Sequence, residues 1–236
     1  IQGLKGTYQS NIGMDARILA GKYALESSDS MTEESAVVKI AGYQGVYGFA
    51  GRVGGDCEFR ICNSEKEKSA AELDVFNGTC DIIGSLSVEV TGGKYSSCNR
   101  NAATHVIGKA CNIVIQDVQL SGGYDSYALN GTRVNGECNI TWKQVESNAA
   151  VYMISEGSFA GDVAVTASDS QSTDFYGLSG VGEIHGNYVM HCEGNGIADG
   201  TYSYYGNCYA VYSGRTSAPV IRGNVEIVMK DCRYNQ

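Results

Sequence analysis

A nine-residue phrase repeats along the chain and constrains its fold more than any other feature. Each copy begins with an apolar residue, has glycine at its third position and then alternates apolar with polar residues. Glycine is present in six of the seven copies, and Lys109 replaces it in the third. The copies occupy residues 53–61, 82–90, 107–115, 134–142, 159–167, 184–192 and 221–229. Their starts are 29, 25, 27, 25, 25 and 37 residues apart, so the unit has about 25 residues.

The phrase has the pattern of a strand with one buried face, because side chains alternate across a strand. The glycine ahead of it predicts a sharp bend where a Cβ would be crowded or φ must be positive. No segment between copies has a 3.6-residue apolar period, which disfavours helical repeats and βαβ units. We therefore predict an all-β fold, a right-handed parallel β-helix (β-solenoid) of about eight coils of about 25 residues. Left-handed β-helices normally use shorter coils built from hexapeptides.

Stacked coils place equivalent residues above one another at a spacing of roughly 4.8 Å. Two inward columns follow from the alignment. The first contains Val53, Ile82, Ile107, Val134, Phe159, Ile184 and Ile221, and the second contains Phe59, Val88, Ile113, Ile140, Val165, Met190 and Ile227. Residues 51–236 are expected to form regular coils, and residues 1–50 one or two irregular coils or a cap, continuous with them in a single domain.

Three of the nine cysteines share one inward slot of the unit, namely Cys57, Cys111 and Cys138. They are interpreted as small buried hydrophobic residues, since stacked side chains point the same way and suit a disulfide poorly. The abundance of thiols suits an intracellular or anaerobic setting and is compatible with export. The sequence has no CxxC pair, and we predict neither a metal site nor a cofactor.

The chain resembles the right-handed parallel β-helix (pectin-lyase-like) superfamily over residues 51–236, and most closely the repeat segments of bacterial secreted and cell-surface proteins. That resemblance implies a fold that serves both polysaccharide-degrading enzymes and inert stalks or adhesins. The Asn-Thr-Asp, Asp-Asp and Gly-His-Gly segments of polygalacturonases do not occur, and no Arg-x-Pro-x-x-Arg element of pectate lyases is present.

Glu137 and Asp162 form a pair of carboxylates on the expected outer surface, because they precede the strands of neighbouring coils. Such a pair is a weak candidate for general acid–base catalysis or for a calcium site. Ordinary solvated polar side chains on a strand face are the favoured interpretation, because no Arg or Lys is stacked with the pair.

The interruption before the last copy is the best candidate for a ligand-binding loop, because long loops on solenoids carry binding faces and clustered tyrosines are typical of interfaces. Its tyrosines are Tyr202, Tyr204, Tyr205, Tyr209 and Tyr212. The alternative is that they continue a ladder formed by Tyr124, Tyr152, Tyr176 and Tyr202, which recur 17 or 18 residues after the start of their units.

A net charge of −9 and the absence of a basic run argue against nucleic acid as a partner, and no apolar stretch is long enough for membrane insertion. We expect a non-catalytic structural or adhesive segment of a larger extracellular or surface protein, whose open end coils allow self-association end to end. The alternatives are a polysaccharide lyase or glycoside hydrolase, or a module that binds a glycan or another protein through the tyrosine-rich loop.

Overall fold

The computed structural model describes residues 46–62, 72–100, 105–197, 206–213 and 218–234, together with five short strands before residue 42. Side chains are described from residue 52 onward, apart from those of residues 77 and 78. The described residues are all-β and stack as a parallel solenoid, which confirms the predicted fold class.

One face of the solenoid, sheet 1, has nine parallel strands in sequence order among the described residues. They are Met14–Leu19, Ala36–Ala41, Cys57–Cys62, Leu86–Thr91, Cys111–Gln116, Cys138–Lys143, Val163–Ser168, Tyr188–Glu193 and Val225–Lys230. Seven of these strands belong to the glycine units, and the first two come from the region predicted to be irregular. Sheet 1 therefore has one strand more than the predicted eight or so coils.

Sheet 2 forms a second face with ten strands. They are Ser30–Thr32, Val46–Val53, Leu73–Ile82, His105–Ile107, Ser126–Val134, Val151–Phe159, Phe175–Ser179, Glu183–Ile184, Cys208–Tyr212 and Val220–Ile221. Sheet 3 is a narrow third face of two-residue strands, Lys94–Tyr95, Gln119–Leu120 and Glu146–Ser147, continued by single bridges at Gln171, Gly196 and Arg233. Leu4–Lys5 and Leu25–Glu26 pair separately.

Both predicted apolar columns are continuous stacks. In sheet 1, Ile113 pairs with Val88 on one side and Ile140 on the other, and Ile140 pairs with Val165. In sheet 2, Ile107 lies between Ile82 and Val134 in the same manner. Column residues of the inner coils are at most 1% exposed, so the core is a narrow apolar strip bounded by the sheets.

The cysteines of the shared inward slot lie in this core, as predicted. Cys111 pairs directly with Cys138, and both thiols are free. Burial raises the pKa of the Cys57 thiol, and the pKa of the Cys138 thiol is raised by its hydrogen bond with Cys111 and by burial. Cys57 and Cys138 are therefore held as neutral, unreactive thiols.

Crowding, rather than positive φ, explains the glycine before the sheet 1 strand in five units, at Gly84, Gly136, Gly161, Gly186 and Gly223. A Cβ added at Gly161 would lie 2.6 Å from the carbonyl carbon of Gly136, and one at Gly223 would lie 2.5 Å from the carbonyl oxygen of Gly186. At these glycines the backbones of successive coils touch, and a Cβ would overlap the neighbouring coil, whereas Lys109 occupies the equivalent position in the third unit.

A second corner, between sheets 1 and 3, uses the left-handed region of φ. The six coils from the Leu86–Thr91 strand onward each place one residue there directly after the sheet 1 strand. These residues are Gly92, Asp117, Gln144, Asp169, Gly194 and Asp231, with φ of 74°, 57°, 51°, 51°, 68° and 53°. Each backbone N–H of the first five donates to a carbonyl of the following coil, for example from Asp117 to Lys143 at 3.1 Å.

The close approach at the glycine corner generates the first prediction. We expect Gly161→Ala to lower the free energy of unfolding by about 2 kcal/mol or more, because the new methyl group would overlap the Gly136 backbone. Gly182→Ala is the matched control, since its Cβ would meet only the Gly157 carbonyl oxygen at 3.5 Å. The control is expected to be neutral or slightly stabilising. Urea unfolding of both variants checks this, and equal midpoints would contradict it.

Candidate functional site

The predicted carboxylate pair lies on the outer surface of sheet 1, at the edge next to the glycine corner. Glu137 and Asp162 precede the strands that begin at Cys138 and Val163, and the backbone N–H of Cys138 donates to the carbonyl of Asp162 at 2.8 Å. The two residues are therefore direct neighbours on adjacent coils, as the repeat predicts.

A shallow groove of about 410 Å³ runs past this pair across four coils. Its polar lining consists of Glu137, Asn139, Asp162, Asn187, Asn224 and Glu226, and its apolar lining of Val163, Ala164 and Val189. The described residues that line the groove include three carboxylates and no Arg, Lys or His. The groove therefore presents amide and carboxylate groups to a ligand, without a cation to balance them.

Asp162 already has a structural role at this position. Its Oδ1 accepts hydrogen bonds from the backbone N–H of Asn187 at 2.7 Å and from the Asn187 Nδ2 at 3.1 Å. Asn187 repeats the contact, since its Oδ1 accepts from the backbone N–H of Asn224 at 2.9 Å. The three side chains form a ladder, here called the Asx ladder, that caps the corner of each following coil.

The same contact occurs at other corners of the solenoid. Asp56 Oδ1 accepts from the backbone N–H of Ser85 at 2.7 Å. On sheet 2, Asp174 Oδ1 accepts from the backbone N–H of Asn207 at 2.9 Å. The contact at the glycine corner could have been predicted from the sequence, because Asp or Asn directly follows the unit's glycine in four copies. The recurrence indicates a structural function for Asx residues at coil boundaries.

The described residues contain no cluster of three or more His, Cys, Asp or Glu side chains that could hold a metal ion. The two candidate carboxylates remain chemically able to act as an acid and a base on a bound sugar, since carboxylates on neighbouring coils are roughly 5 Å apart. Any such reaction at Asp162 would compete with its hydrogen bonds to Asn187.

Four tyrosines form a stacked ladder on the outer surface of sheet 2. Ring centroids are 4.9 Å apart for Tyr127 and Tyr152, 4.4 Å for Tyr152 and Tyr176, and 5.2 Å for Tyr176 and Tyr209. The interplanar angles of 18°, 4° and 15° show that each ring covers the face of the next. Burial raises the pKa of Tyr176 to about 12.

The predicted tyrosine ladder contains a wrong residue, Tyr124, at one end. Tyr127 occupies the position assigned to Tyr124, which instead lies beneath Arg100 with the guanidinium carbon 4.1 Å from the ring centroid. Tyr209 follows Tyr176 in the ladder, and Tyr202 lies outside the described residues. The assignment failed because tyrosine spacing varies between coils when loops of different length precede the strand.

Of the five tyrosines proposed for ligand binding, the structure describes Tyr209 and Tyr212, whereas Tyr202, Tyr204 and Tyr205 lie outside the described residues. Tyr212 is tilted by 58° to Tyr176 and by 43° to Tyr209, with centroids about 5 Å away from both. The three rings form one aromatic cluster beside the interruption. A sugar requires an open ring face for stacking, and the internal faces of the ladder are covered.

The interruption itself is split into two insertions. Gln171 bridges Gly196, and Phe175 pairs with Cys208. The connection from Gln171 to Phe175 therefore spans 4 residues, whereas the equivalent connection of the next coil, from Gly196 to Cys208, spans 12. After the ladder, the path from Ser179 to Glu183 is 4 residues, and the path from Tyr212 to Val220 is 8. The tyrosine cluster therefore lies between two loops, on a regular strand.

A buried polar group that the sequence did not reveal lies in sheet 2, two coils before the first tyrosine of the ladder. Asp74 is fully buried in sheet 2, and its Oδ1 accepts the backbone N–H of Arg100 at 3.1 Å. Burial, with a smaller contribution from Glu72, raises the pKa of Asp74 to about 7 although Arg100 opposes the shift. The carboxyl group is consequently protonated in the folded protein over much of the acidic range.

The three histidines occupy two kinds of environment, the outer surface and the core. His185 and His191 are about half exposed, and each Nε2 lies near a carboxylate, Glu183 at 3.1 Å and Glu226 at 3.2 Å respectively. His105 is buried against Phe76 with a centroid distance of 4.4 Å, and burial lowers its pKa to about 4. His105 is therefore a neutral core residue.

Comparison of the chain with protein-family models, with curated proteins and with solved structures finds no match. The fold class accordingly rests on the strand pairing described above. No helix suited to spanning a membrane by its length and apolar character occurs among the described residues.

The buried carboxyl group generates the second prediction. Asp74→Asn keeps the acceptor for the Arg100 N–H and removes the cost of ionising a buried acid. Since the folded pKa is raised to about 7, ionisation destabilises the wild type increasingly as pH rises from about 4 to 7. We expect the variant to be more stable than the wild type by about 1–4 kcal/mol above pH 7, and to lose this advantage below pH 4.

The matched control is Asp81→Asn, an exposed residue in the same strand, which is expected to change the free energy of unfolding by less than about 0.5 kcal/mol at every pH. Urea unfolding between pH 3.5 and pH 8 distinguishes the two variants. A destabilised Asp74→Asn protein at pH 8 would show that the folded protein requires the carboxylate.

Proposed function

We propose that this chain is a non-catalytic structural or adhesive solenoid segment of a larger extracellular or cell-surface protein. We further propose that it belongs to the right-handed parallel β-helix (pectin-lyase-like) superfamily and most resembles the repeat segments of bacterial secreted and surface proteins. Its role is to form a rigid rod between, or beside, other parts of that protein. The polar surface then serves solubility and contact with a partner, which is a glycan or another protein.

The observation that carries the proposal is the use of Asp162 in the Asx ladder. The acidic side chain best placed for acid–base chemistry accepts a backbone and a side-chain hydrogen bond from the following coil. A general acid or base must instead exchange its proton with a substrate, and these two hydrogen bonds already occupy Oδ1 of Asp162. The ladder thus accounts for the carboxylate without catalysis.

The groove beside the ladder also fits poorly with the usual substrates of the superfamily. Its lining carries three carboxylates, and no cation is present among the described lining residues. The whole chain has a net charge of −9. An acidic polysaccharide would therefore be repelled at the position where a lyase has to bind it. A neutral glycan or a protein is the better partner for this surface.

A second candidate function is glycoside hydrolysis, and a specific observation favours it. Glu137 and Asp162 lie side by side in a groove whose asparagines could bind sugar hydroxyls. The backbone spacing of adjacent strands brings the two carboxyl groups to roughly the separation found in retaining glycosidases.

A glycan-binding module that uses Tyr212 at the rim of the tyrosine cluster is the remaining possibility, because that residue is 38% exposed.

Two variants of one residue separate the structural role from catalysis, which gives the third prediction. Asp162→Asn retains an Oδ1 acceptor, so we expect almost unchanged stability. Asp162→Ala removes the acceptor from two hydrogen bonds, and we expect its free energy of unfolding to fall by about 1–2 kcal/mol. Urea unfolding measures both effects, and an equal loss in the two variants would contradict the ladder.

The same proteins are then incubated with a panel of acidic and neutral polysaccharides, and reducing ends and unsaturated products are measured. The proposed function predicts no product from the wild type. Product formation that is abolished in Glu137→Gln or Asp162→Asn, both of them folded, would overturn the proposal in favour of an enzyme. A glycan array with wild type and Tyr212→Ala tests the binding module.

A further inference from the structure

Four Asn-Gly pairs occur in the chain, and they differ in what surrounds the asparagine. The pairs begin at Asn77, Asn130, Asn135 and Asn195. Asparagine followed by glycine is prone to cyclise, because no Cβ hinders the approach of the glycine nitrogen to the side-chain amide carbon. The reaction requires an accessible amide and a glycine N–H that no hydrogen bond holds. The side chain of Asn77 lies outside the described residues, and the other three pairs can be ranked by their contacts.

Two of these pairs are protected by the fold. Asn195 is 1% exposed, its Oδ1 accepts the backbone N–H of Ser170 at 2.9 Å, and its Nδ2 donates to a backbone carbonyl at 3.0 Å. The N–H of Gly196, which would have to attack, donates to the Ser170 carbonyl at 2.9 Å. Asn130 is 8% exposed and lies inside a sheet 2 strand. Cyclisation at either pair requires the coil to open first.

Asn135 has the opposite surroundings. It is exposed at the glycine corner, between the sheet 2 strand that ends at Val134 and the sheet 1 strand that begins at Cys138. Its backbone N–H donates to the Ile107 carbonyl at 2.9 Å, so the main chain is held while the side chain is exposed. The N–H of Gly136 makes no hydrogen bond with a described residue, whereas the equivalent N–H in three other units donates to the preceding coil.

Arg133 supplies a contact that favours attack on this amide. Its Nε donates a hydrogen bond to Oδ1 of Asn135 at 3.3 Å. Arginine has only donors, so the oxygen and not the nitrogen of the amide faces it. That oxygen takes up negative charge when the amide carbon is attacked, and a guanidinium group already placed beside it stabilises the charge. Arg133 therefore polarises the side chain of the one described Asn-Gly pair that is both exposed and free to cyclise.

We infer that Asn135 is a site of self-modification, with water as the co-reactant. The Gly136 nitrogen loses its proton to solvent and attacks Cγ of Asn135. The bond from Cγ to Nδ2 then breaks, and ammonia leaves with a proton taken from solvent. The product is a cyclic imide, in which one nitrogen joins Cγ and the main-chain carbonyl carbon. Water opens this ring at Cγ to give aspartate, or at the main-chain carbonyl to give isoaspartate.

Isoaspartate at this position disturbs the junction between coils, because it adds one carbon atom to the main chain. Gly136 already contacts the coils on both sides. A Cβ there would lie 2.8 Å from the Lys109 carbonyl oxygen, and a Cβ at Gly161 would lie 2.6 Å from the Gly136 carbonyl carbon. A longer main chain has to displace one of these neighbours. Aspartate, by contrast, keeps the chain length and leaves a carboxylate beside Arg133.

Peptide mapping by mass spectrometry, after incubation of the whole chain at mildly alkaline pH, tests the inference. In the folded protein we expect Asn135 to lose ammonia at least roughly tenfold faster than Asn130 or Asn195, since those two react only from an opened state. In guanidinium chloride, where all three pairs are exposed, the rates are expected to agree within about threefold. Equal rates in the folded protein would overturn the inference.

Substitution of the arginine tests the hydrogen bond to Oδ1. We expect Arg133→Gln to slow the loss of ammonia from Asn135 roughly three- to tenfold, and Arg133→Lys, which keeps a charged donor, to slow it less. The matched control is Arg52→Gln, which removes an exposed arginine from the same outward column of sheet 2 and is not expected to change the rate. An Arg133→Gln protein that reacts as fast as the wild type would overturn the role assigned to the arginine.

Methylation by an isoaspartyl methyltransferase measures the isoaspartate, and urea unfolding measures its effect. We expect aged wild type to unfold at a lower urea concentration than fresh protein. Asn135→Asp and aged Asn135→Gln should keep the midpoint of fresh wild type, because neither gains the additional main-chain atom. An aged protein that contains isoaspartate at this position and keeps its midpoint would overturn the predicted weakening of the junction. The polysaccharide panel is a separate measurement, so failure here leaves the proposed structural function unaffected.

Discussion

The backbone contact between successive coils at the glycine corner is the constraint on which the rest of the structure depends. At Gly161 and Gly223 the neighbouring backbone approaches so closely that a Cβ would lie about 2.5 Å from it. This contact fixes the axial distance and the register of each coil on the next. Once register is fixed, every side chain meets its own equivalent, and a column must be apolar throughout or polar throughout. The seven-fold repetition in the sequence follows from that requirement.

The inward columns were predictable because burial acts on every member of a column at once. Ile113, Ile140 and Val165 could be placed in one stack from spacing and alternation alone. The corner between sheets 1 and 3 was not predictable in this way. It requires a left-handed φ, and Gly92, Asp117 and Gln144 all adopt one. A conformational constraint that several residue types satisfy leaves little trace in composition.

The candidate site shows a different limit of sequence reasoning. The neighbouring positions of Glu137 and Asp162 followed directly from the repeat, but their chemistry did not, because a carboxylate at a coil boundary suits both catalysis and backbone capping. The hydrogen bonds that give Asp162 its capping contact with Asn187 became visible only in the structure. The tyrosine ladder was predicted at Tyr152 and Tyr176, and it was assigned wrongly at Tyr124, where a three-residue offset separates two tyrosines of one coil.

A solenoid whose units contact only their neighbours has its weakest contact at an end, because the last coil buries its apolar residues on one side only. The final junction compensates with polar contacts across coils, which join Glu183 to Arg222, His191 to Glu226 and Glu193 to Lys230. Exposed pairs of this kind each contribute about 0–1 kcal/mol, much less than the burial of one aliphatic side chain. They hold the last coil in register without covering it.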